Sequence, residues 1–118
     1  MAASKLPKAA RLSSREEFAK VRRQGKAHHG KLMVMGGWTA SNDQSARLGV
    51  ITTRKVGRAV DRTRLRRKLR EIFRLNRASL PSGLWMVIVP RRTAAATNSQ
   101  ALAEEWRALA GKAGYLKV

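Results

Sequence analysis

The first regular pattern of polar and apolar positions follows a capping signal. Ser13-Ser14-Arg15-Glu16-Glu17 places a Glu three residues beyond each Ser, giving two overlapping capping boxes. Both acids suit the positive end of a helix dipole. The spacing predicts a helix over about residues 14–23, with Phe18 and Val21 on one face and Gly25 as its stop. Lys31 to Met35 reads as a strand that Gly36-Gly37 bends before Trp38. Ser41 to Ser45 is turn chemistry and would join it, as a hairpin, to the β-branched run Arg47–Thr53.

Between Val60 and Asn76 the period changes. Leu65, Leu69, Ile72 and Phe73 recur at i, i+4, i+7 and i+8, one stripe of an α-helix, and Pro81-Ser82-Gly83 breaks the pattern. Leu84 to Val89 is apolar throughout, as in a central strand covered on both faces, and Pro90 ends it. Thr93 to Asn98 reads as a loop, with Thr97 and Gln100 as the cap of a final helix. That helix carries the stripe Leu102, Trp106, Leu109, Ala110 and stops at Gly111 or Gly114. The order is α, two or three strands, α, strand, α. This predicts an α+β fold, a small mixed sheet packed with helices, as one domain over residues 1–118 with flexible ends at 1–10 and 112–118.

Composition changes the picture from fold to partner. The 118 residues include 26 Lys or Arg against 7 Asp or Glu, a net charge of +19. Such an excess repels itself unless an anionic partner relieves it. With 43% hydrophobic residues the chain still has material for a core. The absence of cysteine removes disulfides, thiolate metal sites and cysteine nucleophiles, and suits a reducing compartment. No apolar run approaches the roughly 20 residues of a spanning helix, and the basic N-terminus lacks the apolar stretch of a secretory signal. The expectation is a soluble, cytoplasmic protein with a nucleic-acid partner and no membrane.

The charge is concentrated. Residues 54–77 hold eleven Lys or Arg against Asp61 and Glu71, a net +9. At about 100° per residue, Arg66, Arg70, Arg74 and Arg77 flank one side of the apolar stripe, and Arg64 and Lys68 the other. A merely solvated surface needs neither like charges at i, i+4, i+8, which repel, nor nine Arg to two Lys. Guanidinium groups bind phosphate bidentately and stack on bases, so the segment reads as a nucleic-acid face.

The string Arg54-Lys-Val-Gly-Arg-Ala-Val-Asp-Arg-Thr-Arg-Leu-Arg-Arg-Lys-Leu-Arg-Glu-Ile-Phe-Arg74 resembles the signature of the bacterial ribonuclease P protein family. The resemblance runs upstream through Arg11-Leu, Phe18-Ala-Lys-Val21 and Gly25, and downstream through Ser82-Gly-Leu-Trp-Met-Val-Ile-Val-Pro-Arg-Arg. It implies an α-β-β-β-α-β-α sandwich like domain 2 of ribosomal protein S5, with a left-handed βαβ crossover. It implies a monomer bound one-to-one to a catalytic RNA, the two together removing the 5′ leader of precursor tRNA. The catalytic centre would lie in the RNA, with no catalytic residue in this chain, no cofactor held by the protein alone, and magnesium needed by the holoenzyme. The resemblance assigns Arg54, Lys55, Arg58, Arg62, Thr63, Arg64, Arg66, Arg67, Lys68, Arg70 and Arg74 to the RNA subunit. Phe18, Lys20, Arg22, Lys31, Met33 and Met35 would meet the leader.

Three positions depart from the family pattern. Thr63 stands where Asn is usual, Arg22 where a second aromatic is common, and Gly36 where a strand commonly ends in Tyr. With base stacking worth about 1–3 kcal/mol per base, leader contact is expected to lean on Arg22, Lys20 and Lys31. A structural ribosomal or RNA-chaperone protein is the alternative reading, against which the concentration of charge on one helix counts. Adjacent His28-His29 lack Cys or acids at metal-ligand spacing, and no Ser has a His/Asp partner pattern, which argues against a self-sufficient enzyme.

Overall fold

The computed structural model describes residues 6–40 and 45–116. Ser14 caps helix α1 (Arg15–Gln24): its side chain accepts from the Glu17 amide while Glu17 reaches back to the Ser14 amide. Of the two capping boxes only this one forms, because Glu17 also takes the Ser13 amide. Helix α2 spans Ala59–Asn76 and buries the predicted stripe Leu65, Leu69, Ile72 and Phe73. Helix α3 (Ser99–Lys112) buries Leu102, Trp106, Leu109 and Ala110. Its cap is Asn98, whose side chain accepts from Ala101, and not Thr97. The chain leaves α3 through Gly114 at φ 84°, a left-handed position that favours glycine.

The strands are β1 (Lys26–His29), β2 (Met33–Thr39), β3 (Arg47–Val50) and β4 (Leu84–Pro90), in spatial order β1-β2-β4-β3. β2 pairs antiparallel with β1 and with β4, and β3 lies parallel to β4. This corrects the expected hairpin between residues 31–39 and 47–53, whose turn at 41–44 lies outside the described residues. β4 is inserted between those strands because its apolar run needs cover on both faces and a neighbour at each edge. The actual hairpin is β1–β2. Polar, mostly exposed β1 carries little apolar signal, so the pattern of the chain alone did not reveal it. Residues 92–96, read as part of a loop, form a 3-10 turn.

Alternation along the strands divides the core in two. Met33, Met35, Leu48, Met86 and Ile88 pack with α2 and α3, around Phe73 and fully buried Trp106. The opposite face carries α1, with Val21, Leu12 and Val87 buried and Phe18, Trp38, Ile51, Trp85 and Val89 packed around them. The ends expected to be flexible pack where they are described. Leu6 and Ala10 join the α2/α3 core, with Tyr115 and Leu116 against it. Leu12 donates to the Leu48 carbonyl at 2.8 Å, so the N-terminal segment covers the β3 edge.

Candidate nucleic-acid interface

The basic face of α2 follows from its sequence. With Leu65, Leu69 and Phe73 turned into the core, the cations are left on the outer surface, where Arg58, Arg64 and Arg67 are exposed, and Arg54 and Lys55 are exposed in the 3-10 turn just before the helix. Acids neutralise little of this. Glu71 holds Arg74 in a bidentate pair at 2.6 and 3.0 Å. Asp61 caps the Arg58 amide at 3.0 Å and lies 3.8 Å from the Arg58 guanidinium. Arg54, Lys55, Arg62, Arg64, Arg66, Arg67, Lys68 and Arg70 have no ion-pair partner among the described residues.

One of these cations is fixed by neutral groups. Arg66 donates to the Thr52 hydroxyl at 2.6 Å and to the Thr63 hydroxyl at 3.2 Å. Thr63 therefore serves as an acceptor that braces an arginine. Arg70 lines a hollow of about 350 Å³ with Lys8 and Arg11, between the N-terminal segment and α2. Burial, and then the charges of Arg11 and Arg66, lower the Arg70 pKa from its ordinary value. An anion arriving there would relieve that repulsion.

On the other face of the sheet, α1 and the strands enclose a groove of about 210 Å³. Phe18, Arg22 and Gly25 form one wall, and Val34, Gly36, Val87, Val89 and Ile51 the floor and far side. α1 lies close at Phe18 because Gly49 beneath that ring carries no side chain. A Cβ on Gly49 would collide with the Phe18 ring, and one on Gly36 would touch Val21 at 3.5 Å. The groove is apolar below and basic at its rim, where Arg22 and Lys26 stand. That combination suits bases stacked inside with phosphates outside.

The structure brings Phe18 and Arg22 into the groove as expected. Met33 and Met35 do not belong there: both are 0% exposed and face the α2/α3 core. Strand alternation sends their neighbours Val34 and Gly36 to the groove instead. Lys20 and Lys31 are not among the groove-lining residues. The Lys20 ammonium lies over the Trp38 ring at 5.7 Å, and Lys31 sits in the β1–β2 turn, its amide bound by Glu105 at 2.9 Å. Sequence reading missed Val34, Ile51, Val87 and Val89. Their alternation was visible, but which parity faced which helix was not. It also left Arg11 out of the candidate site, although this residue lies in the stretch that carries the resemblance.

The two surfaces meet at the end of β3. Ile51 lines the groove and its neighbour Thr52 accepts from Arg66 of α2. Among the described residues no three His, Asp or Glu side chains gather at metal-ligand distance. No helix among them is long and apolar enough to cross a membrane.

Comparison with known proteins points the same way. A family profile described as Ribonuclease P matches residues 6–114. The ribonuclease P protein component of Pseudanabaena sp. is 35% identical over 112 residues, covering 94% of this chain and 97% of that one. That of Thermotoga maritima is 37% identical over 82 residues, covering 70% and 69%. Among solved structures, the Thermotoga maritima RNase P protein superposes with TM-score 0.75 at 31% identity, over 84% of this chain and 93% of that one. The Staphylococcus aureus RNase P protein reaches TM-score 0.85 over 93% and 100%, and at 19% identity it shows the shared fold.

Proposed function

Because the chain belongs to the ribonuclease P protein component family, we propose that it binds the catalytic RNA subunit through the α2 face and the 5′ leader of precursor tRNA through the α1 groove. The observation that carries this reading is the junction at Ile51-Thr52. It sets a surface suited to folded RNA directly beside a groove suited to a single strand. A strand leaving the RNA at the α2 face would enter the groove within one residue of it.

In this reading the chain positions and the RNA cleaves. Arg64, Arg67 and their neighbours neutralise phosphates of the RNA subunit, releasing counterions. Phe18 offers a face for one leader base, and Arg22 reaches a leader phosphate at the rim. Magnesium, the ion the resemblance implies, prefers oxygen ligands and keeps several waters. Here the acids nearest the basic face, Asp61 and Glu71, are engaged by Arg58 and Arg74, so phosphate oxygens of the RNA would hold it. The expected complex is a cytoplasmic one-to-one ribonucleoprotein.

Reconstitution tests the reading. The chain alone is expected to cleave no precursor tRNA, and to restore cleavage by a bacterial ribonuclease P RNA at low magnesium. Absence of stimulation across a magnesium titration would overturn it.

A further inference from the structure

The flank of α1 turned away from the groove carries a chain of contacts that leader binding does not use. Taking Val21, which is 4% exposed, as the residue pointing into the sheet, Phe18, Gly25 and Arg22 fall at about +40° to +100° around the helix. Glu17 and Lys20 fall at about −40° and −100°. On that second flank the Glu17 carboxylate pairs with Arg47 of β3 at 2.9 Å. The Arg47 guanidinium lies over the Trp85 ring of β4 at 5.4 Å. Trp85 meets its register partner Trp38 of β2 edge to face, with centroids 5.3 Å apart and planes at 79°. The Lys20 ammonium lies over Trp38 at 5.7 Å and returns the chain of contacts to α1.

The circuit therefore starts and ends on one helix and passes through β3, β4 and β2. The groove is built from the same helix and strands, with Ile51 just beyond β3. α1 rests on the sheet along a narrow apolar line, with Val21 over glycine at Gly36 and Phe18 over Gly49. A helix on so narrow a support can roll, and contacts on one flank then set the gap on the other.

We propose that Glu17, Arg47, Trp85, Trp38 and Lys20 form a clamp that fixes the roll of α1 and thereby the width of the groove. They are positioning residues for a single-stranded RNA segment that they do not touch. The inference rests on the reading of the groove as the leader site. Arg47 has a second anchor in the Arg11 carbonyl at 3.0 Å, so the clamp also ties down the N-terminal segment.

The test uses the protein assembled with a bacterial ribonuclease P RNA, and precursor tRNAs with either no leader or a leader of several nucleotides. Trp38→Leu keeps apolar bulk and removes the aromatic contacts. It is expected to lower the affinity gained from the leader by about 2- to 10-fold, the range an edge-to-face pair supplies. Affinity for the RNA subunit and for leaderless substrate should stay unchanged, and Trp38→Phe should restore the gain. Lys20→Met, at an exposed position, should give an effect of about 2-fold with the salt slope of leader binding unaltered. A slope smaller by about 0.7 would make Lys20 a direct phosphate contact and remove it from the clamp.

Phe18→Ala serves as the reference. If it abolishes the leader gain and Trp38→Leu does not reduce it, the clamp is overturned. Equal loss with both substrates on Trp38→Leu would overturn it as well, showing general destabilisation. If Phe18→Ala leaves the leader gain intact, the groove reading itself fails.

Discussion

The α2 face and the α1 groove are both basic surfaces proposed to meet RNA, yet they are constructed differently. The α2 face belongs to one helix and the short turn that leads into it. Its cations lie within a single stretch of sequence, its apolar stripe anchors it, and its shape needs nothing more than a helix with one side buried. The groove belongs to no element. Phe18 and Arg22 come from α1, Val34 from β2, Val87 and Val89 from β4, and Ile51 from the segment after β3. Charge can act at a distance from a convex surface, whereas stacking demands two walls at a fixed separation. A surface that works by charge can thus be written into one helix, while one that works by stacking has to be assembled.

The largest expected effect probes where the groove ends and the core begins. Met35→Ala should destabilise the fold by about 2–5 kcal/mol, as buried truncations do, and should weaken no substrate selectively. Val34→Ala, one residue away, should barely shift the melting temperature and should reduce the leader contribution. Thermal melts paired with binding measurements check both; selective leader loss in the Met35 variant would move the groove to the wrong face. Gly49→Ala comes next. It drives a methyl group into the Phe18 ring and should cost about 1–3 kcal/mol by overpacking, with loss of leader discrimination.

The comparison itself rests on a third pair. Phe18→Ala should remove about 1–3 kcal/mol of binding, the value of one stacked base, only when a leader is present. Arg64→Ala and Arg67→Ala should weaken binding to the RNA subunit whatever the leader length. Each should also reduce the slope of log K against log salt by about 0.7–0.9. Identical leader dependence for the two kinds of variant would collapse the two surfaces into one.

The smallest effect is one of pH. Burial pulls the Glu17 carboxyl upward, but the Ser13 and Ser14 amides and the Arg47 guanidinium outweigh it, and its pKa ends below the ordinary 4.5. A group depressed in the folded state stabilises fully above its unfolded pKa and loses that contribution as pH falls through the folded value. Acidification below about 4.5 should therefore loosen α1 first, by under about 1 kcal/mol for a pair at the partly buried edge of the surface. Glu17→Gln should flatten part of that dependence in melting temperature; the remainder belongs to Glu71, which Arg74 also holds below its ordinary value.

The α2 stripe and the α3 stripe were readable residue by residue, because a 3.6-residue period states which side is buried without reference to anything else. β4 was readable as central because its run is apolar on both sides. The strand pairing was not, since Arg47–Val50 would suit β2 or β4 equally as a neighbour. Met33 and Met35 show the same limit at the site. A period of two separates Met33 and Met35 from Val34 and Gly36 without saying which set lies beneath α1.

By itself the sequence determined the helices, the Ser14 cap of α1, the apolar stripes and the concentration of positive charge on α2, since each depends on residues close together along the chain. Only the tertiary structure decided that β4 enters between β2 and β3, that Val34 and not Met35 lines the groove, and that Ile51 and Thr52 join two surfaces. Those outcomes depend on which face of the sheet each helix covers, and that is settled by packing among residues far apart in sequence.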